Sequence, residues 1–420
     1  MSRPLIVVDA GEPHAVYLAL RRALTGDGPA VLPRQHEPGP RSGTTDADAT
    51  AGLPASVPRN VALVVETSGS TGAPKRVALS ADALLASAAA SAGAIGGQEP
   101  GLARWLLALP AHYIAGANVL VRSIVAGTEP VILPPGHFDP AAFFAAAETL
   151  DSDQRFTSLV PVQLARLLDA AMDAAAHGDP DVLAVLRRFD ALLIGGQALQ
   201  PELRQRALDA GLRIVRTYGS SETAGGCVYD GVPIGTVRAR EADGRIELAG
   251  PVLAEGYLDA DGRIDTKRTH AAFHTADGAR WYRTGDLGSV DPDGRVSIVG
   301  RADNVIISGG EKVSLDAVER AVRRHPGLVE AVVVAAASEE WGQVPAVVAV
   351  GHPQFDLAQL RAAVQAELGH AAAPALLITV DRMPHLASGK PDRIALARLV
   401  AEQTGPHGGG VPSSAAGDGK

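Results

Sequence analysis

The sequence predicts an α/β fold in two parts: a large α/β domain of several subdomains, with a β-rich portion, over residues 1–300, and a small α+β domain over 301–403. Three observations predict it. Apolar runs short enough for buried strands alternate with helix-patterned stretches as far as Gly219, the rhythm of a mostly parallel sheet with covering helices. From about 228 to 300 the helices give way to short strand-like runs broken by Asp-Gly turns. After Arg301 helix and strand patterns return on a smaller scale, which places a domain boundary near 301–304.

VALVV at 61–65 reads as a buried strand because it is apolar on both faces. VALS after Arg76 reads as another strand, and Ser80 is placed to cap the helix that follows as far as Ile95. ALLIGG at 191–196 is a strand ending in glycines. Pro201 suits the first turn of a helix that Gly211 ends, and 212–219 is the next strand. ADGRIEL, DADGRID and DPDGRVSIVG supply hairpin turns. Ser314 caps LDAVERAVRRH, while LVEAVVVAA, VPAVVAV and ALLITV read as strands and DLAQLRAAVQAELG as a helix. Residues 34–59, rich in Pro, Gly, Asp and Thr, read as a surface loop or linker, and 404–420 as a disordered tail.

Composition narrows the function. Hydrophobic residues make up 46% of the 420, enough for sizeable cores, but aromatics only 4%, so those cores rest on Ala, Val, Leu and Ile. The formal net charge of −9, with signs interspersed, excludes a general nucleic-acid binder. No run approaches a membrane span, the start does not read as a signal peptide, and the single cysteine, Cys227, allows no intrachain disulfide. A cytoplasmic protein without membrane insertion is expected, and a homo-oligomer is allowed. Cys227 reads as a packing residue, because no base is spaced to activate it.

The strongest chemical signal is Thr67-Ser68-Gly69-Ser70-Thr71-Gly72-Ala73-Pro74-Lys75. Small residues let backbone N–H groups approach phosphate oxygens, and Lys75 adds charge. The spacing of Gly69 and Gly72 and the proline before Lys75 rule out a Walker A loop, so the device is a strand–loop–strand clamp. Read alone, the segment has a flexible Ser/Gly loop as its lesser alternative.

This segment resembles the phosphate loop of the adenylate-forming superfamily of acyl-CoA synthetases, luciferases and adenylation domains, and four further motifs follow in the family's order. Tyr218-Gly219-Ser220-Ser221-Glu222-Thr223 is similar to the motif whose aromatic ring lies on adenine, whose Glu binds magnesium and whose Thr touches the α-phosphate. Tyr282-Arg283-Thr284-Gly285-Asp286 is similar to the motif whose Asp holds the ribose hydroxyls. Gly300-Arg301-Ala302-Asp303 is similar to the hinge, with Arg301 reaching ribose and Asp303 pivoting. Ser388-Gly389-Lys390 is similar to the catalytic-lysine motif of a mobile C-terminal domain. The resemblance also implies that Gly196 and Gln197 border adenine, that Gly309, Gly310 and Lys312 line the pantetheine tunnel, and that His112, Gly225 and Gly226 border the acyl group. Catalytic roles fall to Lys390, Lys75 and Thr223. ATP, Mg2+ and coenzyme A are the implied cofactors, and a small carboxylic acid the partner. Any one of these residues alone would pass for a solvated loop side chain; five ordered motifs from 67 to 390 would not.

Only 66 residues precede the phosphate loop, so the N-terminal subdomain is expected to be abbreviated. That compactness, with WLLALPAHYIAGANVLVRSIVAGTEPVIL and YGSSETAGGCVYDG, resembles the o-succinylbenzoate–CoA ligases of menaquinone biosynthesis. The resemblance implies an ATP-dependent acid–CoA ligase working through an acyl-adenylate. Another aryl- or acyl-CoA ligase, a carrier-protein-loading adenylation enzyme and a non-catalytic nucleotide or acyl-adenylate binder are the alternatives.

Overall fold

In the computed structural model the described residues are 1–35, 52–67, 74–96, 101–134, 136–178, 181–351, 356–385 and 391–404. The apolar run beginning at Val61 is buried from Val61 through Val65, as a strand without a polar face must be. It lies inside a six-stranded sheet ordered Gly256–Leu258, Lys75–Ser80, Val61–Thr67, Ala30–Arg34, Ser2–Asp9, Ser56–Pro58. Ser2–Asp9 and Ala30–Arg34 are parallel and joined through the helix Pro13–Leu24, whereas Val61–Thr67 and Lys75–Ser80 are antiparallel, with Thr67 opposite Lys75. Buried Arg3 ties this corner together by donating to the carbonyls of Ala23, Gly28 and Val61. Residues 56–58, expected within a surface loop, instead form a strand against Ser2–Pro4, with Val57 1% exposed. Tertiary pairing of an open edge overrides the loop-like composition there.

The second sheet runs Val232–Pro233, Gly225–Tyr229, Ile214–Ser220, Ala191–Ile194, Gln154–Leu159, Ala103–Leu107, Val131–Ile132. The five strands from Ile214–Ser220 to Val131–Ile132 are parallel, and helices Ile114–Ala126, Pro161–Ala176 and Pro201–Asp209 return the chain between them. Helix Ala81–Ala94 begins at Ser80, whose side chain accepts from Ala83 N. A third sheet contains the hairpin Arg238–Ala242/Arg245–Ala249, closed by Asp243 and Gly244 at φ 53° and 73°, the positive pair that a two-residue hairpin turn needs.

The chain divides into one unit of Met1–Thr284 with Ser289–Ser297 and another of Gly285–Gly288 with the chain from Ile298 onward. The division at 297/298 precedes the hinge motif by a few residues, and the segment around Asp286 belongs to the second unit. That unit holds the strands Glu311–Ser314, Val305–Ser308, Gly342–Val350, Val332–Ser338 and Leu376–Val380. Leu315–Arg323 and Leu357–Leu368 cover one apolar cluster and Arg393–Thr404 another. Ser314 caps the first of these helices by accepting from Ala317 N.

Candidate active site

In an open parallel sheet, ligands gather beyond the carboxyl ends of the strands. Four predicted residues follow such ends within a few positions: His112 after Ala103–Leu107, Gly196 and Gln197 after Ala191–Ile194, and Glu222 after Ile214–Ser220. The last strand runs into a single 3-10 turn, Ser221–Thr223, and Ala224 then reverses the chain in the left-handed region at φ 48°, ψ 38°. For a residue with a Cβ that conformation costs roughly 1–2 kcal/mol. Two buried donors hold it: Ser87 Oγ at 2.9 Å and Asn118 Nδ2 at 2.7 Å both donate to the Ala224 carbonyl.

Three of the predicted residues belong to this anchoring. Thr223 is fully buried, and its hydroxyl accepts from Ser220 N at 2.9 Å and donates to the Gly225 carbonyl at 2.8 Å, so it closes the loop. Gly225, at φ +92°, has Asn118 Nδ2 where a Cβ would stand, and at Gly226 a Cβ would come 3.0 Å from Thr217 Cβ. In the Cβ direction these glycines make room for Asn118 and Thr217.

Glu222 is 9% exposed. Its Oε1 accepts from the Tyr257 hydroxyl at 2.8 Å, and the Tyr257 ring lies 5.7 Å from Lys75 Nζ. Lys75 opens its strand at the base of the predicted phosphate loop, where Thr67 Oγ1 donates to the Lys75 carbonyl at 3.4 Å. Ser68, Gly69, Ser70, Thr71 and Gly72 lie outside the described residues. Among the described residues no three His, Cys, Asp or Glu side chains converge into a metal cage. A single buried carboxylate is nevertheless what magnesium needs when substrate phosphates and water complete its shell, so Glu222 fits that ion.

His112 is half-buried, its ring 4.0 Å from that of Tyr113. Its Nδ1 is buried without a hydrogen bond, and desolvation lowers its pKa, which holds the imidazole neutral. Tyr218 and Gln197 are partly exposed, Gly219 exposed, and Gly196 exposed at φ +80°. Cys227 is fully buried with its pKa pushed up to about 12, an inert thiol.

In the second unit, Arg301 bridges two carboxylates. It donates to Asp303 through Nε and Nη2 at 3.0 Å each, and to Asp286 through Nη1 at 3.3 Å. Asp316 fixes both ends of the 301–304 segment, accepting from Arg301 N at 2.7 Å and Asn304 Nδ2 at 2.6 Å. Gly309 and Gly310, at φ 57° and 87°, form the turn of the hairpin Val305–Ser308/Glu311–Ser314, on which Lys312 is exposed. The Trp341 ring occupies the space where a side chain at 309 would stand. Lys390 lies outside the described residues; Arg393 just beyond it is held by buried Glu319 at 2.6 Å.

Sequence reasoning missed Ser87, Asn118, Tyr257 and Asp316. The first two look like ordinary helix residues and Tyr257 like a strand aromatic, so only the folded contacts distinguish them. A polar Asn118 inside the apolar stretch of Ile114–Ala126 was the one available signal.

Residues 18–258 match the AMP-binding enzyme family, and residues 317–390 the AMP-binding enzyme C-terminal domain. The chain belongs to the AMP-binding enzyme family. A relative in Mycobacterium tuberculosis named "Probable 2-succinylbenzoate–CoA ligase" is 40% identical over 404 residues, covering 94% of this chain and 97% of the relative. The 2-succinylbenzoate–CoA ligase of Listeria monocytogenes is 31% identical, covering 83% of this chain and 72% of its own length. The o-succinylbenzoate CoA synthetase of Bacillus subtilis, solved with the acyl-adenylate intermediate OSB-AMP, superposes with TM-score 0.67 at 26% identity over 81% of this chain and 70% of that one.

Proposed function

We propose that the chain is an ATP-dependent acid–coenzyme A ligase that converts 2-succinylbenzoate first to its acyl-adenylate and then to the thioester. The observation that carries this reading is the Lys75–Tyr257–Glu222 constellation. It puts a buried carboxylate and an ammonium group on one aromatic ring, at the base of the predicted phosphate loop. The relatives bearing the ligase name support the choice of acid.

In the first half-reaction the substrate carboxylate attacks the α-phosphate and pyrophosphate leaves. Lys75 and the N–H groups of the phosphate loop hold the phosphates; Asp286 and Arg301 take the ribose hydroxyls; Tyr218, Gly219, Gly196 and Gln197 border adenine. Glu222 would hold magnesium, which would supply positive charge to the phosphate oxygens. Lys390 stabilises the charge developing at the α-phosphoryl group. In the second half-reaction movement about Asp303 withdraws Lys390 and presents Gly309, Gly310 and Lys312 to coenzyme A, whose thiolate attacks the acyl carbonyl and releases AMP. The buried, unpartnered Nδ1 of neutral His112 offers a hydrogen bond to the second carboxylate of the acid. Gly225 and Gly226, whose Cβ directions are taken by Asn118 and Thr217, border the acyl group through their backbone. The substrates are free small molecules, and a cytoplasmic setting without nucleic acid belongs to the same reading; among the described residues no helix is long and apolar enough to cross a membrane.

The test is kcat/KM with ATP, magnesium and coenzyme A across 2-succinylbenzoate, benzoates and fatty acids, with pyrophosphate release followed separately. The dicarboxylate is expected to win, and His112→Ala to weaken it more than benzoate. A fatty acid or simple benzoate winning overturns the choice of acid. No pyrophosphate with any acid overturns the ligase reading in favour of a nucleotide-binding protein.

A further inference from the structure

We propose that Tyr257 is a positioning residue for adenylation: one phenol sets both the magnesium carboxylate Glu222 and the phosphate-loop lysine Lys75. The inference rests on the roles given above to those two residues. Tyr257 is 5% exposed and rigidly mounted. Its strand Gly256–Leu258 pairs antiparallel with Lys75–Ser80, placing Tyr257 opposite Val77. Its backbone is fixed at both groups, the N–H donating to Thr269 Oγ1 at 3.1 Å and the carbonyl accepting from Asp265 N at 2.8 Å. Phe273 packs on the ring at 6.2 Å. From this mounting the hydroxyl donates to Glu222 Oε1 at 2.8 Å.

What Tyr257 does not do is equally informative. A neutral phenol leaves the Glu222 charge intact, whereas an arginine or lysine would neutralise it. Among the described residues no cation forms an ion pair with Glu222; the Lys75 ammonium rests over the Tyr257 ring at 5.7 Å rather than on the carboxylate. The phenol thus touches both groups by different parts, its hydroxyl on Glu222 and its ring beneath Lys75. It leaves the ammonium for phosphate and Oε2 for a hard cation. A hydrogen bond from such an outer-shell donor fixes the plane of a ligating carboxylate and typically contributes 10- to 100-fold in metal affinity.

The experiment compares ATP binding by titration calorimetry in EDTA and in saturating magnesium, for the wild type, Tyr257→Phe, Glu222→Gln and the double variant, with thermal unfolding of each. Tyr257→Phe removes one oxygen and keeps the ring. It is expected to reduce the magnesium-dependent gain in ATP affinity by about tenfold, with binding in EDTA held within about twofold. Glu222→Gln should abolish the gain, and the double variant should lose no more than Glu222→Gln alone, because the two groups act as one unit. Tyr257→Phe retaining the full magnesium gain overturns the inference. Additive losses in the double variant also overturn it, since a merely structural tyrosine would act independently of Glu222. Glu222→Gln retaining the full gain instead overturns the metal role of Glu222 itself.

Discussion

Glu222 and Asp303 are both carboxylates expected to act in one reaction cycle, yet their settings differ in kind. Glu222 is 9% exposed, hydrogen-bonded to a neutral tyrosine, and carried on a loop whose left-handed residue is gripped by two buried donors. The Asp303 side chain is 61% exposed and is held by an arginine that is itself 50% exposed and shared with Asp286. A buried polar grip resists rearrangement because each broken bond leaves an unsatisfied group away from water. An exposed ion pair exchanges partners cheaply because water and salt take up either charge. The molecule therefore reserves dry anchoring for what must stay still and wet ion pairs for the segment expected to pivot.

The comparison breaks most visibly at Asn118. Asn118→Leu leaves the Ala224 carbonyl with one donor and a strained turn to hold, at a cost of about 1–3 kcal/mol. Calorimetric unfolding should show a clearly lower Tm, and adenylation should fall with it as Glu222 loses its place. An unchanged Tm would mean that the turn needs no grip. Smaller in stability but not in function is Arg301→Met. Exposed pairs of this sort contribute only about 0–1 kcal/mol, so Tm should barely move while ATP affinity and thioester formation drop. A large fall in Tm would show that the segment is structural rather than a strap.

The smallest effect expected is a slope with pH. The pKa of His112 is lowered in the folded protein by burial, so below the unfolded value of 6.5 the unfolded chain binds the proton and the folded one resists it. The stability tied to neutral His112 is whole above that value and declines as pH falls below it. His112→Asn should flatten the dependence of denaturation midpoint on pH below 6.5, and an identical slope in the variant would count against a buried neutral imidazole.

Much of the architecture was legible because it depends on local patterns. The doubly apolar run at 61–65, the Ser80 and Ser314 caps and the Asp243-Gly244 turn each announce their element through a few neighbouring side chains. The strand at 56–58 was not legible, because it exists only through pairing with residues near the start of the chain. The same distinction runs through the site. Motif residues such as Glu222 and Lys75 stand out in the sequence. The residues that hold them, Asn118 and Ser87 for the turn and Tyr257 for the carboxylate, come from distant segments and carry no mark of their own.

The sequence alone determined the class of fold, the order of the nucleotide motifs and the chemistry those motifs imply, since these follow from periodicity, turn residues and side-chain type. The tertiary structure decided which of those residues can reach a ligand. Thr223 shows why: its hydroxyl is chemically suited to phosphate, but in the folded chain it is buried at 0% exposure, accepting from Ser220 N and donating to the Gly225 carbonyl. Side-chain type is written in the chain; direction and hydration are properties of the packed interior, and they exist only once the segments carrying Ser87, Asn118 and Tyr257 have come together.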